Sequence, residues 1–208
     1  MDGAEALFGE GNYDSISMRD VAQRANVLLG VVTYHFGNKQ ALFEAVVSRR
    51  AEAVNNARLA ELRRYDDPSV EQILDAFIGP ILSQLKKANH PSYAKIMVQI
   101  TQEERWSDLN LRLFRATARE FYDALQRAVP GVSPEVLASG LIYAAFVVLG
   151  AAYHNIRLSE MTDDAHSTMN FAKVYRSVLR FAIGGIHALA DTASPVPQSK
   201  LPSNNPAL

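Results

Sequence analysis

Apolar residues recur along this chain at spacings of three and four, with almost no alternation at two, so the predicted elements are helices. Ala4, Leu7 and Phe8 start a short helix that stops at Gly9-Glu10-Gly11-Asn12. Met18, Val21, Ala22 and Ala25 fall at i, i+3, i+4 and i+7, one face of a helix with Ser17 as its N-cap. Asn38 can cap a longer helix that carries Ala41, Leu42, Ala45, Val46, Leu59 and Leu62 on its apolar stripe. Asp66-Asp67-Pro68 ends that helix, and Pro68 suits the first turn of the next. Further breaks at Asn89-His90-Pro91, at Pro130-Gly131-Val132-Ser133-Pro134 and about Ser159 to Asp164 leave helices near 69–87, 92–104, 107–128, 134–157 and 168–189. Val31-Val32-Thr33 has strand propensity, but three residues in a helical context do not make a strand. The predicted class is all-α, about nine helices, three short ones first. Residues 191–208 carry Pro195, Pro197, Pro202 and Pro206 among Ser and Asn and read as a disordered tail.

Composition narrows the function more than the fold. The 208 residues are 48% hydrophobic and carry a formal net charge of −1, enough for a buried core and no general advertisement for nucleic acid. With no cysteine there is no disulfide framework, thiol nucleophile or cysteine-ligated zinc. P-loop, GxGxxG, GxSxG and HExxH patterns are missing, so an enzyme is not expected, nor any cofactor. Glu103 and Glu104 are adjacent and point about 100° apart on a helix, which does not make an acid/base pair. Glu160, Asp163 and His166 sit in a polar connection and read as a solvated loop rather than a metal site. From Val136 to Tyr153 the chain runs 18 residues without a charge, about the shortest span that crosses a bilayer. Its many small residues fit a core helix or a subunit interface better than a membrane span, and the cytoplasm is the expected location.

The stretch from Met18 to Gly37 has the needs of a helix-turn-helix. Ala22 is the small residue where two helices touch, and Asn26, four residues on, tolerates a left-handed turn. Val32 and Phe36 supply an apolar underside, which Ile16, Leu42 and Phe43 complete with Leu7 and Phe8. The wider segment carries ALF, Gly11 with Tyr13, Ser17 to Ala25, Val27, Gly30, and then Tyr34-His35-Phe36-Gly37-Asn38-Lys39 with Leu42-Phe43. It resembles the N-terminal domain of the TetR family of bacterial transcriptional regulators. That resemblance implies a homodimer, in which each subunit lays its third helix in the major groove of operator DNA. It assigns Ser17 to a phosphate, residues 28–34 (Leu28, Leu29, Val31 and Thr33 among them) to base edges, Tyr34 and His35 to the backbone, and Lys39 to a phosphate. Members of the family usually begin with a basic arm and more of helix one. This chain starts inside that helix, which leaves open an in-frame upstream extension or a trimmed domain. Residues 1–50 hold five Arg/Lys against six Asp/Glu, an unusually poor balance for binding phosphates. Leu28, Leu29 and Val31 cannot hydrogen-bond bases, so readout would lean on thymine methyls with Thr33 and Tyr34, and the expected specificity is modest and AT-tolerant.

The expected organisation is a helix-turn-helix domain at 1–47, a larger helical domain at 48–190 and the tail at 191–208. In the family that it resembles, the larger domain holds a ligand pocket and the dimer interface. Small residues on 134–157, and Gly184-Gly185 in 168–189, suit helices that bundle closely across a two-fold axis. Phe77, Ile81, Met97, Ile100, Phe114, Phe121, Tyr143 and Phe146 are the apolar candidates for a pocket, with Tyr143, Gln99 and His154 as polar anchors. Such a pocket would take a small hydrophobic or aromatic effector, whose binding releases the operator. Trp106 is expected to pack. The competing expectation is a helical ligand-binding or scaffolding dimer that has lost DNA binding.

Overall fold

The computed structural model describes residues 1–88, 92–153 and 171–191, and among these nine α-helices, one short 3-10 turn and no strand occur. The helices are α1 (Asp2–Glu10), α2 (Met18–Arg24), α3 (Leu29–Phe36), α4 (Lys39–Leu62), α5 (Val70–Ala88), α6 (Ser92–Gln102), α7 (Ser107–Ala128), α8 (Pro134–Tyr153) and α9 (Phe171–Ala190). The 3-10 turn Glu104–Trp106 takes up the end of the helix expected to reach 104. The breaks near 89–91 and 159–164, the Glu160/Asp163/His166 group, His154 and the tail beyond Asp191 lie outside the described residues.

Local chemistry sets most helix starts. Ser17 accepts from the Asp20 N–H, and the Asp20 carboxylate accepts from the Ser17 N–H, a reciprocal capping box. The Ser17 hydroxyl also donates to that carboxylate, and this bond, with the one from the Ser17 N–H, holds the Asp20 carboxyl below its usual range. Asn38 accepts from the Ala41 N–H and starts α4. Pro68 does not occupy the first turn of α5. Ser69 caps that helix, with the Gln72 side chain bonded back to the Ser69 N–H, and Pro68 stands just before the cap. Ser133 accepts from the Val136 N–H, which leaves Pro134 at the first helical position, where its missing N–H costs nothing.

Helices α1 to α3 and the first turns of α4 close over Phe8, Val21, Ala22, Val32, Leu42 and Phe43, all buried. Helix α4 continues without a break into the larger bundle, where it packs on α5 and α7, and α9 packs on α5 and α8. Ile73, Leu74, Ile78, Phe121 and Leu125 form the centre of that bundle. Helix α8 is long and apolar enough over Pro134–Ala151 to cross a membrane by length and composition, yet it packs against α5, α6, α7 and α9. A side chain at Gly140 would meet Ile186 of α9, so this glycine serves contact within the chain. Gly184 and Gly185 face open space instead.

Candidate functional site

The turn between α2 and α3 depends on Asn26, at φ 52°, a conformation that asparagine adopts more readily than other non-glycine residues. With Val32 as its buried anchor, α3 turns every other candidate outward: Leu28 is 79% exposed and Tyr34 86%, and Leu29, Val31, Thr33 and His35 are exposed too. No hydrophobic core requires these side chains where they stand. Gly37, at φ 73°, ends the helix and lets the chain reverse into α4.

Cations around this surface are largely engaged. The Lys39 ammonium donates to the Tyr13 carbonyl at 3.0 Å and lies 4.4 Å from the centre of the Tyr13 ring. Arg24 pairs with Glu10, and Arg49 and Arg50 close on the buried Glu5 carboxylate. Among the described residues, Arg19 is the basic side chain of the first fifty with no such partner. The exposed hydroxyl of Ser17 is also in use, donating to Asp20 while it accepts from the backbone.

A second feature is a cavity of about 270 Å³ in the larger bundle. Phe77, Ile81, Met97, Phe114 and Phe146 line it, together with Leu141, Ile142, Ala145 and Leu149 of α8 and Ala118 of α7. The other candidates lie elsewhere. Ile100 is buried core, and Phe121 stands behind Phe77 in an edge contact of 5.2 Å between ring centres. Tyr143 is 57% exposed and lies outside the cavity lining, whereas Leu149 is buried against the cavity and Phe146 lines it while still 47% exposed. Gln99 faces α1 rather than the cavity. Polar lining comes from Arg58, Tyr93, Thr101 and Asn110, none of them anticipated. Arg58 was open to discovery: Val47, Ala51, Val54, Arg58 and Leu62 follow the helical spacing of α4, so an arginine sits where a hydrophobe is expected.

Residues 75–185 match the tetracyclin repressor-like C-terminal domain, and residues 1–46 match the bacterial regulatory proteins of the tetR family. The chain belongs to the TetR family. The biofilm operon icaADBC HTH-type negative transcriptional regulator IcaR of Staphylococcus aureus is 28% identical over 134 residues, covering 59% of this chain and 67% of IcaR. A Clostridium perfringens regulator assigned to fatty acid metabolism has the same fold, with a TM-score of 0.65 at 18% identity, over 88% of this chain and 96% of that one. PfmR from Thermus thermophilus gives a TM-score of 0.63 at 15% identity, over 89% and 98%.

In this TetR-family chain α6 stands between the cavity and α1. Tyr93, Met97 and Thr101, at i, i+4 and i+8, face the cavity, while Ser92 and Gln99, seven apart, face α1. Gln99 donates to the Phe8 and Gly11 carbonyls at 3.1 and 3.3 Å, and its oxygen accepts from the Tyr13 N–H at 3.2 Å. It therefore takes up carbonyls that the end of α1 leaves free. Arg105 grips Asp14 through two bonds of 2.9 and 2.6 Å, which holds that carboxyl below its usual range. Trp106 packs, as expected of it, and its partners are Tyr13 and Phe43 at 4.8 and 4.6 Å. A side chain at Gly9 would come within 2.3 Å of Ser92. Gly9→Ala should therefore force α1 from α6 and destabilise the protein by about 1–3 kcal/mol, as overpacking does. A denaturant titration checks this, and an unchanged midpoint would mean that the helices separate without cost.

Proposed function

We propose that this TetR-family regulator is a cytoplasmic homodimer that represses transcription by binding operator DNA through α3 and leaves it when a small apolar effector enters the cavity. In this reading residues 1–47 bind DNA, with Ser17 and Lys39 on phosphates, and residues 48–190 bind the effector and the second subunit. The observation that carries it is the outward face of α3, where Leu28, Val31 and Tyr34 stand in water with no role in packing. IcaR, a negative regulator by name, supports the sign of regulation. The dimer is supported by Tyr143 of α8 and Phe181 of α9, exposed at 57% and 69%, and by the open space at Gly184 and Gly185. Exposed aromatic rings on two helices that pack together suit a helix pair from a second copy. Coupling would run through α6: a ligand against Tyr93 and Met97 shifts the helix whose other face holds α1 by Gln99, and the dimer whose recognition helices fit successive major grooves loses population.

The test is fluorescence anisotropy of the purified chain against DNA from its own upstream region, as a salt series, with sedimentation at the same micromolar concentration. A dimer with sequence-selective binding is the expected result. Because most nearby cations are paired internally, the slope of log affinity against log salt should be shallower than the roughly −10 of a repressor that makes many phosphate contacts. The internal pairing of those cations also favours a second reading, a ligand-binding dimer that no longer binds DNA. A dimer with no selective binding, with or without a helix one extended upstream, would establish that second reading.

A further inference from the structure

We propose that the cavity takes an apolar monocarboxylate, a medium-chain aliphatic or single-ring aromatic acid, with its carboxylate seated on the Arg58 guanidinium. Arg58 is only 5% exposed and lines the cavity from α4. Its Nε–H donates to the Phe77 carbonyl at 2.8 Å, and its guanidinium lies 3.9 Å from the centre of the Phe77 ring. Among the described residues no carboxylate pairs with it. Its one titratable neighbour of consequence is the phenol of Tyr93, itself buried.

A buried charge is costly unless it is paired, and one carbonyl with an aromatic face leaves most of the five guanidinium N–H donors unused. Burial pulls Arg58 down to about 10 and pushes Tyr93 up to about 12, so at neutral pH the first is still a cation and the second a neutral phenol. Two of the other polar groups of the wall are already engaged within the protein. Thr101 donates its hydroxyl to carbonyls within α6, and Asn110 donates to the Ile100 carbonyl. What remains is a planar, fixed cation in a pocket of Phe, Met, Ile and Leu, and a guanidinium fork matches a carboxylate through two parallel bonds. A cavity of about 270 Å³ falls just short of the roughly 300–1,000 Å³ of small-molecule pockets, which favours a compact acid over a long acyl chain.

The proposal rests on reading the cavity as a ligand site, but its test needs no DNA. The full chain is titrated calorimetrically with octanoate, octanol and octylamine at neutral pH, and with benzoate and benzyl alcohol. The acids should bind at least tenfold more tightly than the matching alcohols, and octylamine should show no saturable binding. Arg58→Met should reverse that order, with octanol equal to or tighter than octanoate, while Arg58→Lys should retain part of the preference. Ala118→Leu fills the cavity from α7 while keeping Arg58 in the chain, and should abolish binding of acid and alcohol alike. Equal affinity for acid and alcohol in the wild type overturns the proposal, and so does the lack of any saturable acid binding. If acids bind through Arg58 and operator affinity does not change, the effector reading fails and this assignment stands.

Discussion

Replacing Leu28 and Tyr34 together by glutamate should lower operator affinity by at least about a hundredfold, near 2.7 kcal/mol, with little change in melting temperature. The two side chains are the most exposed large hydrophobics among the described residues, at 79% and 86%, and neither joins the core. Surface substitutions away from packing or hydrogen-bond networks usually stay within about 0.5 kcal/mol of neutral. At Leu28 the new carboxylate would also stand at the N-cap of α3, where a negative charge suits the helix dipole. On DNA the same charges would face phosphates, and the apolar contact available to thymine methyls would be gone. Anisotropy for binding and calorimetric melting for stability separate the two effects. Unchanged binding in a folded double variant would mean that α3 does not enter the groove.

The N-terminal features were legible because their chemistry is local. Ser17 with Asp20, Asn26 at the turn and Asn38 before α4 each act within three or four residues, so the capping and turn preferences written in the sequence are the ones used. The cavity was only half legible. Helix α8 is apolar on nearly every side, so its periodicity could not tell that Phe146 lines the cavity and Tyr143 does not. Gln99 and Arg58 are polar residues on otherwise apolar helix faces, and what such a residue does depends on a partner distant in sequence. Gln99 finds the end of α1, 88 and 91 residues away, and becomes a strut between domains rather than an anchor for a ligand. Arg58 finds a carbonyl of α5 and, among the described residues, no acid. A polar interruption of an apolar stripe was the signal in both cases, and only the folded chain says which one faces a void.

The same long-range joint puts Phe43 at the contact between the N-terminal helices and the larger bundle. Its ring is fully buried, meeting Phe8 at 5.0 Å and Tyr13 at 5.1 Å edge-on, with Trp106 at 4.6 Å. These partners come from α1, the loop after it and the turn before α7, so one side chain closes the DNA-reading helices onto the larger bundle. Phe43→Ala should cost about 3–5 kcal/mol, from lost transfer energy and the cavity that the rigid neighbours cannot fill. Stabilities of whole domains are only about 5–15 kcal/mol, so the N-terminal helices should open well below the melting temperature of the wild type. Trp106 is the chain's single tryptophan and loses its cover in the variant, so its emission should shift to the red as that opening proceeds. Phe43→Leu, which keeps most of the volume, should recover more than half of the loss. Two transitions in Phe43→Ala, with tryptophan emission following only the first, would show that the joint fails before the bundle. A single transition at the wild-type temperature would mean that the cluster holds nothing together, and that α6 with Gln99 and Arg105 carries the contact between the domains alone.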